Sequence, residues 1–362
     1  MQVKHLCVQN FRNLSQVDLR PHRRFNIICG DNGQGKTNLI ESIYWLATLR
    51  PFRTTRIREL IKWDSDSADV AAVVNAHGLE HRLSAEIKNG QRDAFREGKK
   101  VRSSQYFGAL SVVLFTPDDV GLIRGSPENR RRFMDRAIFN GRQSHLDDCV
   151  TYRRALDSRN RLLRERAPDA MLDVYEQTLA QVGAQIIRSR AALIDSIEPL
   201  FIANIRAILG QEVAVSIRYK CSVSELGEPI EHSLMTLWQE DRLKDRDRGF
   251  TQKGPHTEDL VISLFGHSAR NYASQGQQRS MVLALKISEI QLLKERSKQI
   301  PVVLLDDVSS ELDAHRNKSL FDFLNQFDGQ VFITTTDPAY LRIEGDREVY
   351  RIQDGELFLK ES

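Results

Sequence analysis

The spacing of apolar and polar positions changes several times along the chain, and each change marks an element. The runs KHLCVQNF (Lys4–Phe11), FNIICG (Phe25–Gly30) and SVVLF (Ser111–Phe115) are short, apolar and β-rich, which predicts strands. Lys36–Thr48 is apolar at helical spacing. Asn89-Gly90 and Glu97-Gly98 are pairs that suit two-residue hairpin turns. From about Pro127 to Ile205 the pattern turns helical, in RRRFMDRAIF, YRRALDSRNRLLRER and AMLDVYEQTLAQVGAQIIRSRAALIDSI, with a polar break near Ala167-Pro168. A helix of about 30 residues spans only about 45 Å, so this stretch predicts a short helical arm inserted into an α/β domain. Beyond it, EVAVSIRYK and DLVISLF resume the strands, Gly276–Glu295 is an amphipathic helix, and PVVLLD and QVFITTT suit buried parallel strands. The expected division is therefore residues 1–125 and 206–362 as one domain of mixed sheet and helices, with residues 126–205 as the arm. The mixed-charge run DRLKDRDR (Asp241–Arg248) suits a solvated helix face or loop.

Composition narrows the class. With 362 residues and 41% hydrophobic content the chain can fill a sizeable core, which argues against a disordered or fibrous protein. No apolar stretch is long enough for a membrane helix and the first residues lack the apolar segment of a signal peptide, so a cytoplasmic protein with no membrane partner is expected. The cysteines Cys7, Cys29, Cys149 and Cys221 are scattered singly, without metal-site or redox spacing, and suit reduced structural thiols. A net charge of only +3 means that any nucleic-acid partner must be met by local basic clusters.

The chemistry begins after the second strand. Gly30-Asp31-Asn32-Gly33-Gln34-Gly35-Lys36-Thr37 fits G-x-x-x-x-G-K-[ST] between a strand and a helix, the context that makes it a P-loop. Its glycines let backbone N–H groups, those of Gln34 and Asn38 included, turn toward a triphosphate at a helix N-terminus. Lys36 would reach the β and γ phosphates of ATP, and Thr37 would ligate Mg²⁺. Much further along, Val302–Leu305 runs into Asp306 and Asp307, as in a Walker B strand. A carboxylate at the end of a buried strand needs a cation or hydrogen bonds, which suits Asp306 to Mg²⁺, while Asp307 would face the attacking water. Ala273-Ser274-Gln275-Gly276-Gln277 precedes the amphipathic helix and resembles the ABC signature S-x-G-Q, although Ser274 also suits an ordinary helix cap. The order P-loop, signature, Walker B is that of an ABC-type ATPase head. In that class Ser274 and Gly276 of one copy meet the γ-phosphate held by another, so an ATP-dependent homodimer is expected. Ser309–Asp313 would be the D-loop and Thr334–Asp337 the switch region.

Longer blocks resemble the bacterial RecF family, relatives of the SMC and Rad50 heads. They are LCVQNFRNLSQVDL, GDNGQGKTNLIESIYWLA, LFTPDDVGLIRGSPENRRRFMD, RNRLLRE, KGPHTEDL, ASQGQQRSMVLALK and LLDDVSSELD, in order along the whole chain. The resemblance implies ATP-dependent binding of single- and double-stranded DNA and their junctions, slow ATPase activity, and work with RecO and RecR in loading RecA. Three departures from the wider ABC pattern point to ATP as a switch. Thr116-Pro117-Asp118-Asp119 stands where a Q-loop glutamine is usual, Thr335 or Thr336 must serve where a switch histidine is usual, and the shorter Asp307 replaces a catalytic glutamate.

Four basic groups are candidate DNA contacts through phosphate oxygens: Arg50, Arg53, Arg56 and Arg58; Arg130, Arg131, Arg132 and Arg136; Arg153, Arg154, Arg159, Arg161, Arg164 and Arg166 on the arm; and Arg92, Arg96, Lys99, Lys100 and Arg102 on the hairpin. Arm and hairpin are preferred, because two arms would flank a shared cleft. An SMC- or Rad50-like tether is the alternative reading, but it requires far longer coiled coils. A transporter subunit would carry the missing glutamine and histidine, and a small-molecule kinase has no use for ASQGQQRS.

Overall fold

The computed structural model describes residues 1–223, 229–308 and 312–359. The chain forms two compact units, Met1–Asp119 with Val282–Ser362, and Val120–Met281.

The first unit holds two six-stranded sheets, and its strands with those of the second unit are β1 Gln2–Phe11, β2 Leu14–Leu19, β3 Phe25–Cys29, β4 Ser67–Ala76, β5 Leu79–Lys88, β6 Gln91–Arg96, β7 Lys99–Lys100, β8 Val112–Phe115, β9 Val215–Lys220, β10 Asp259–Leu264, β11 His267–Ser268, β12 Val302–Asp306, β13 Val331–Thr335, β14 Arg347–Gln353 and β15 Glu356–Leu359. One sheet runs β2-β1-β4-β5-β6-β7 and is antiparallel throughout. Two of its hairpins close where the sequence predicts, at Asn89-Gly90 and Glu97-Gly98, with positive φ at all four residues as a type I′ turn requires. The other sheet runs β15-β14-β3-β13-β12-β8, parallel except for β15. Strands β3, β12 and β13 are buried at every position, the mark of parallel strands covered on both faces. The P-loop helix Lys36–Thr48 follows β3, so P-loop and Asp306 sit at the carboxyl ends of strands separated only by β13. That edge is where open parallel sheets bind ligands.

The second unit contains the helices Pro127–Gly141, Ser144–Arg164, Asp169–Leu209, Ile230–Glu240 and Arg242–Arg248, with the small sheet β11-β10-β9. It takes in more chain than residues 126–205, because the strands and helices after the long helix pack within the same body. The polar break is a closed cap: Arg166 adopts φ 52, Ala167 N–H reaches Leu162 O at 3.0 Å and Arg166 N–H reaches Leu163 O at 3.2 Å, a Schellman pair. The long helix has 41 residues, about 60 Å at 1.5 Å each. It continues through Pro199 because Ile197, Phe201, Ile205 and Ile208 beyond and beside it are buried on one face, and that burial outweighs one missing backbone bond.

DRLKDRDR is not a solvated face. Arg242 and Asp245 are buried, and the core between the helices is partly ionic. Arg159, fully buried, bonds Glu176 (3.0 Å), Asp245 (2.7 Å) and Thr251 (2.7 Å), while Arg242 bonds Asp173 (2.6 Å) and Glu176. Tyr152, Leu156, Leu179, Ile187, Leu234 and Trp238 form an apolar cluster of the same helices, and the Arg159 guanidinium lies over the Trp238 ring. No described helix is long and apolar enough to cross a membrane.

Candidate nucleotide site

Residues 30–37 wrap the amino end of the P-loop helix. Gly30, Gly33 and Gly35 all have positive φ, and a Cβ on Gly35 would lie 2.8 Å from Asn13 Oδ1, so a side chain there is strained by its backbone and would displace Asn13. The Lys36 ammonium is held over the loop, donating to the carbonyls of Gly30 (2.6 Å) and Asp31 (3.0 Å). Asp31, Asn32 and Gly33 are exposed, leaving the loop open to an anion.

Below the loop lies a cluster of hard oxygens. Thr37 Oγ1 donates to Asp306 Oδ1 at 2.8 Å, and Thr334 Oγ1 donates to the same oxygen at 2.9 Å. Thr334 in turn accepts the backbone N–H of Asp307 at 2.9 Å. Register explains the meeting, since Asp306 of β12 stands directly beside Thr334 of β13. Asp306 is only 7% exposed. Burial pushes its carboxyl above the ordinary aspartate range, against the opposing pull of the two hydroxyls and of Arg53. A carboxylate and a hydroxyl in such a place fit Mg²⁺, which takes oxygen ligands and relieves the buried charge. Asp307 takes φ 50, a left-handed turn that aspartate tolerates, and this swings the chain out of the sheet immediately after the metal-type ligand.

The turn between β1 and β2 adds residues that spacing did not single out. Asn13 donates to Gly33 O at 3.4 Å and accepts from Asn38 at 2.7 Å, and Asn38 also accepts from Arg53 at 3.2 Å. Arg12 pairs with buried Glu41 at 2.9 Å. Arg12, Asn13, Asn38 and Arg53, with Lys62 and Trp63, line a cleft of about 690 Å³ beside the P-loop. Trp63 is 90% exposed, and an aromatic residue inside the polar run KWDSD was the one sequence signal for this wall.

In the switch segment, the threonine that reaches the Asp306 carboxylate is Thr334. Thr335 instead accepts the N–H of Asp337 at 3.3 Å, and Thr336 is exposed. At the Q-loop position Asp119 accepts the Thr116 N–H at 2.7 Å and pairs with buried Lys286 at 3.0 Å. Of the D-loop, Ser309, Ser310 and Glu311 lie outside the described residues, while Asp313 caps the helix Ala314–Gln326.

In the second unit, the signature segment opens the helix Gln275–Ser297. Ser274 Oγ accepts the Gln277 N–H at 3.2 Å and the Gln277 side chain accepts the Ser274 N–H at 2.8 Å, a reciprocal capping box. Ser274 therefore has its cap role and remains exposed, with Gly276 beside it half-buried.

The basic clusters sort by burial. Arg130 and Arg159 are structural, contrary to their assignment as phosphate contacts: Arg130 forks onto both oxygens of Asp259 at 2.7 and 2.9 Å, and Arg159 is enclosed. Arg131 is tied to Glu258 O at 2.6 Å and Arg132 to Glu128. Arg153, Arg154, Arg161, Arg164 and Arg166 are exposed. In the first unit Arg50, Arg53, Arg56, Arg58 and Arg92 are exposed, and the fold brings two sequence clusters together: desolvation and then the neighbouring charge of Arg50 lower the proton affinity of Arg92, and Arg58 packs against Gly90.

Known proteins share this architecture. The RecF/RecN/SMC N terminal domain family matches residues 2–356. The DNA replication and repair protein RecF of Myxococcus xanthus is 45% identical over 352 residues, covering 94% of this chain and 92% of that protein. That of Geotalea daltonii is 36% identical, covering 99% and 100%. A solved structure of the recombination mediator protein RecF-ATPrS in the RecFOR pathway superposes with a TM-score of 0.91 at 33% identity, covering 99% of this chain and 98% of that one. An Smc head bound to a winged-helix domain of ScpA shares the fold alone, with a TM-score of 0.59 at 16% identity. With an ABC-type ATPase head fold and full-length likeness at this level, the chain belongs to the RecF family.

Proposed function

We propose that the chain is an ATP-dependent DNA-binding protein of recombinational repair, in which two copies close around ATP and clamp DNA at gaps or single-/double-strand junctions. The observation that carries the reading is the convergence of Thr37 and Thr334 on Asp306 directly beneath the P-loop. Gly33, Gly35, Lys36, Thr37 and the N–H groups from Gly30 to Asn38 hold the triphosphate, and the cleft lined by Arg12 and Trp63 receives base and ribose. Mg²⁺ held by Thr37 and Asp306 would screen charge building on the phosphates during transfer to water. Asp307 orients the attacking water. Ser274 and Gly276 of the second copy meet the γ-phosphate, so that ATP serves as interface glue and hydrolysis opens the clamp. Asp307 carries one methylene fewer than the usual glutamate and reaches less far, which suits slow turnover.

The exposed arginines of the arm and hairpin track DNA phosphates, and family membership supports RecR, RecO and RecA as partners. An SMC-like chromosome-structure role is disfavoured, because the long helix spans about 60 Å where a tether needs many times that. The test is ATP hydrolysis by wild type and Lys36→Arg, with and without DNA. Low turnover that DNA raises and Lys36→Arg removes supports the reading, while turnover that survives Lys36→Arg excludes this P-loop as its seat.

A further inference from the structure

The outward face of the β1–β2 ribbon carries three side chains that the nucleotide site does not use. Cys7 stands directly opposite Asp18 in the antiparallel register, and His5 lies two residues along β1 on the same face. Their ligating atoms converge. His5 Nε2 is 2.9 Å from Asp18 Oδ1 and 3.5 Å from Cys7 Sγ, and Cys7 Sγ is 3.9 Å from Asp18 Oδ2. Zinc bound tetrahedrally at about 2.0–2.3 Å from nitrogen, oxygen and sulfur separates its ligands by roughly 3.3–3.6 Å, so this trio already stands near those separations.

A second trio, Asp135, His145 and Cys149, looks similar by residue type but differs in chemistry. There Arg190 occupies both oxygens of Asp135 at 2.9 and 2.8 Å, so a cation would have to displace a buried guanidinium. Asp18 has no such competitor. Among the described residues its ion-pair partner is His5, and its side chain is 67% exposed on an edge strand, which leaves an entry path.

We propose that His5, Cys7 and Asp18 form a binding site for one zinc-class divalent ion. A thiolate, an imidazole and a carboxylate together favour a borderline-soft metal over Mg²⁺ or Ca²⁺, with water in the fourth position. On binding, the Cys7 thiol gives its proton to solvent and the neutral imidazole donates its lone pair. The ion ties β2 to β1 on the ribbon whose turn presents Arg12 to Glu41 and Asn13 to Gly33. It thereby stiffens one wall of the nucleotide cleft.

The test is a Co²⁺ titration of the full-length, chelator-treated protein, following the thiolate-to-cobalt charge-transfer absorption, which cobalt at an all-oxygen site does not give. The band should saturate at one equivalent, vanish on adding Zn²⁺, be absent in Cys7→Ser and persist in Cys149→Ser. Asp18→Asn, at an exposed position, should fold normally and weaken binding about tenfold or more. No band at stoichiometric Co²⁺, a band that survives Cys7→Ser, or unchanged affinity in Asp18→Asn overturns the proposal.

Discussion

A carboxylate at the mouth of a buried parallel sheet destabilises the ligand-free fold, and Asp306 is such a group. Its folded-state proton affinity lies above that of an unfolded aspartate, chiefly from burial. The favourable contribution of the neutral form is complete at pH below the ordinary aspartate value and is lost as pH rises through the elevated folded value. Ionised Asp306 is thus a net cost at neutral pH until a cation arrives. Asp306→Asn should therefore melt higher than wild type at pH 7 without nucleotide, with the gap closing toward pH 4, while Mg²⁺-dependent ATP hydrolysis falls about 10²-fold or more. Thermal scans across pH check this, and a variant that melts lower at pH 7 would contradict it. Thr334 supplies the second prediction. Thr334→Val leaves the Asp307 N–H without its acceptor, costing about 1–3 kcal/mol in denaturant unfolding, and Thr334→Ser should recover most of it. The P-loop and the acids were legible in the sequence because each lies within one short run at the end of an apolar strand. Thr334 was not, since its role depends on β13 lying beside β12 in one particular register.

At the scale of elements, strands with fully apolar runs and hairpins with Asn-Gly turns could be read directly, since local chemistry decides both. The helical pattern reads to about Ile205, and tertiary burial of Phe201, Ile205 and Ile208 carries the long helix through Pro199 to Leu209. The helix Ile230–Glu240 was not singled out, and the burial of Arg242 and Asp245 on the helix Arg242–Arg248 was hidden for a related reason. Charge alternation is the same whether a residue meets water or a buried partner, and the partner of Asp245 is Arg159, far away in sequence. Removing that guanidinium takes the buried cation from Asp245 and leaves Glu176 with Arg242 alone, so Arg159→Ala should lower stability by about 3–5 kcal/mol, measured by urea denaturation. Arg153→Ala, at an exposed position paired with Asp157 one turn along its own helix, should stay within about 0.5 kcal/mol. Equal effects of the two would show that the ionic core does not carry the helical unit.

At the scale of the whole molecule, a net charge of +3 gives no long-range pull on DNA, so affinity must come from local arginines. Removing one guanidinium from a DNA phosphate should lower the slope of log affinity against log salt by about one. Replacing Arg153, Arg154, Arg161 and Arg164 with alanine should flatten that slope without altering ATP binding, which filter binding across a salt series can follow. An unchanged slope would move the DNA path away from the arm.

Closure itself is tested most directly by light scattering of wild type and Ser274→Arg with ATP and Mg²⁺, paired with DNA binding on the same samples. Losing the Ser274 cap costs about 1 kcal/mol, too little to unfold the chain, and the exposed side chain leaves room for arginine in a single copy. If ATP is sandwiched between two copies, wild type dimerises with ATP and holds DNA more tightly, whereas Ser274→Arg binds ATP, stays monomeric and gains no grip on DNA. A stable ATP-dependent dimer of Ser274→Arg would contradict the ATP sandwich.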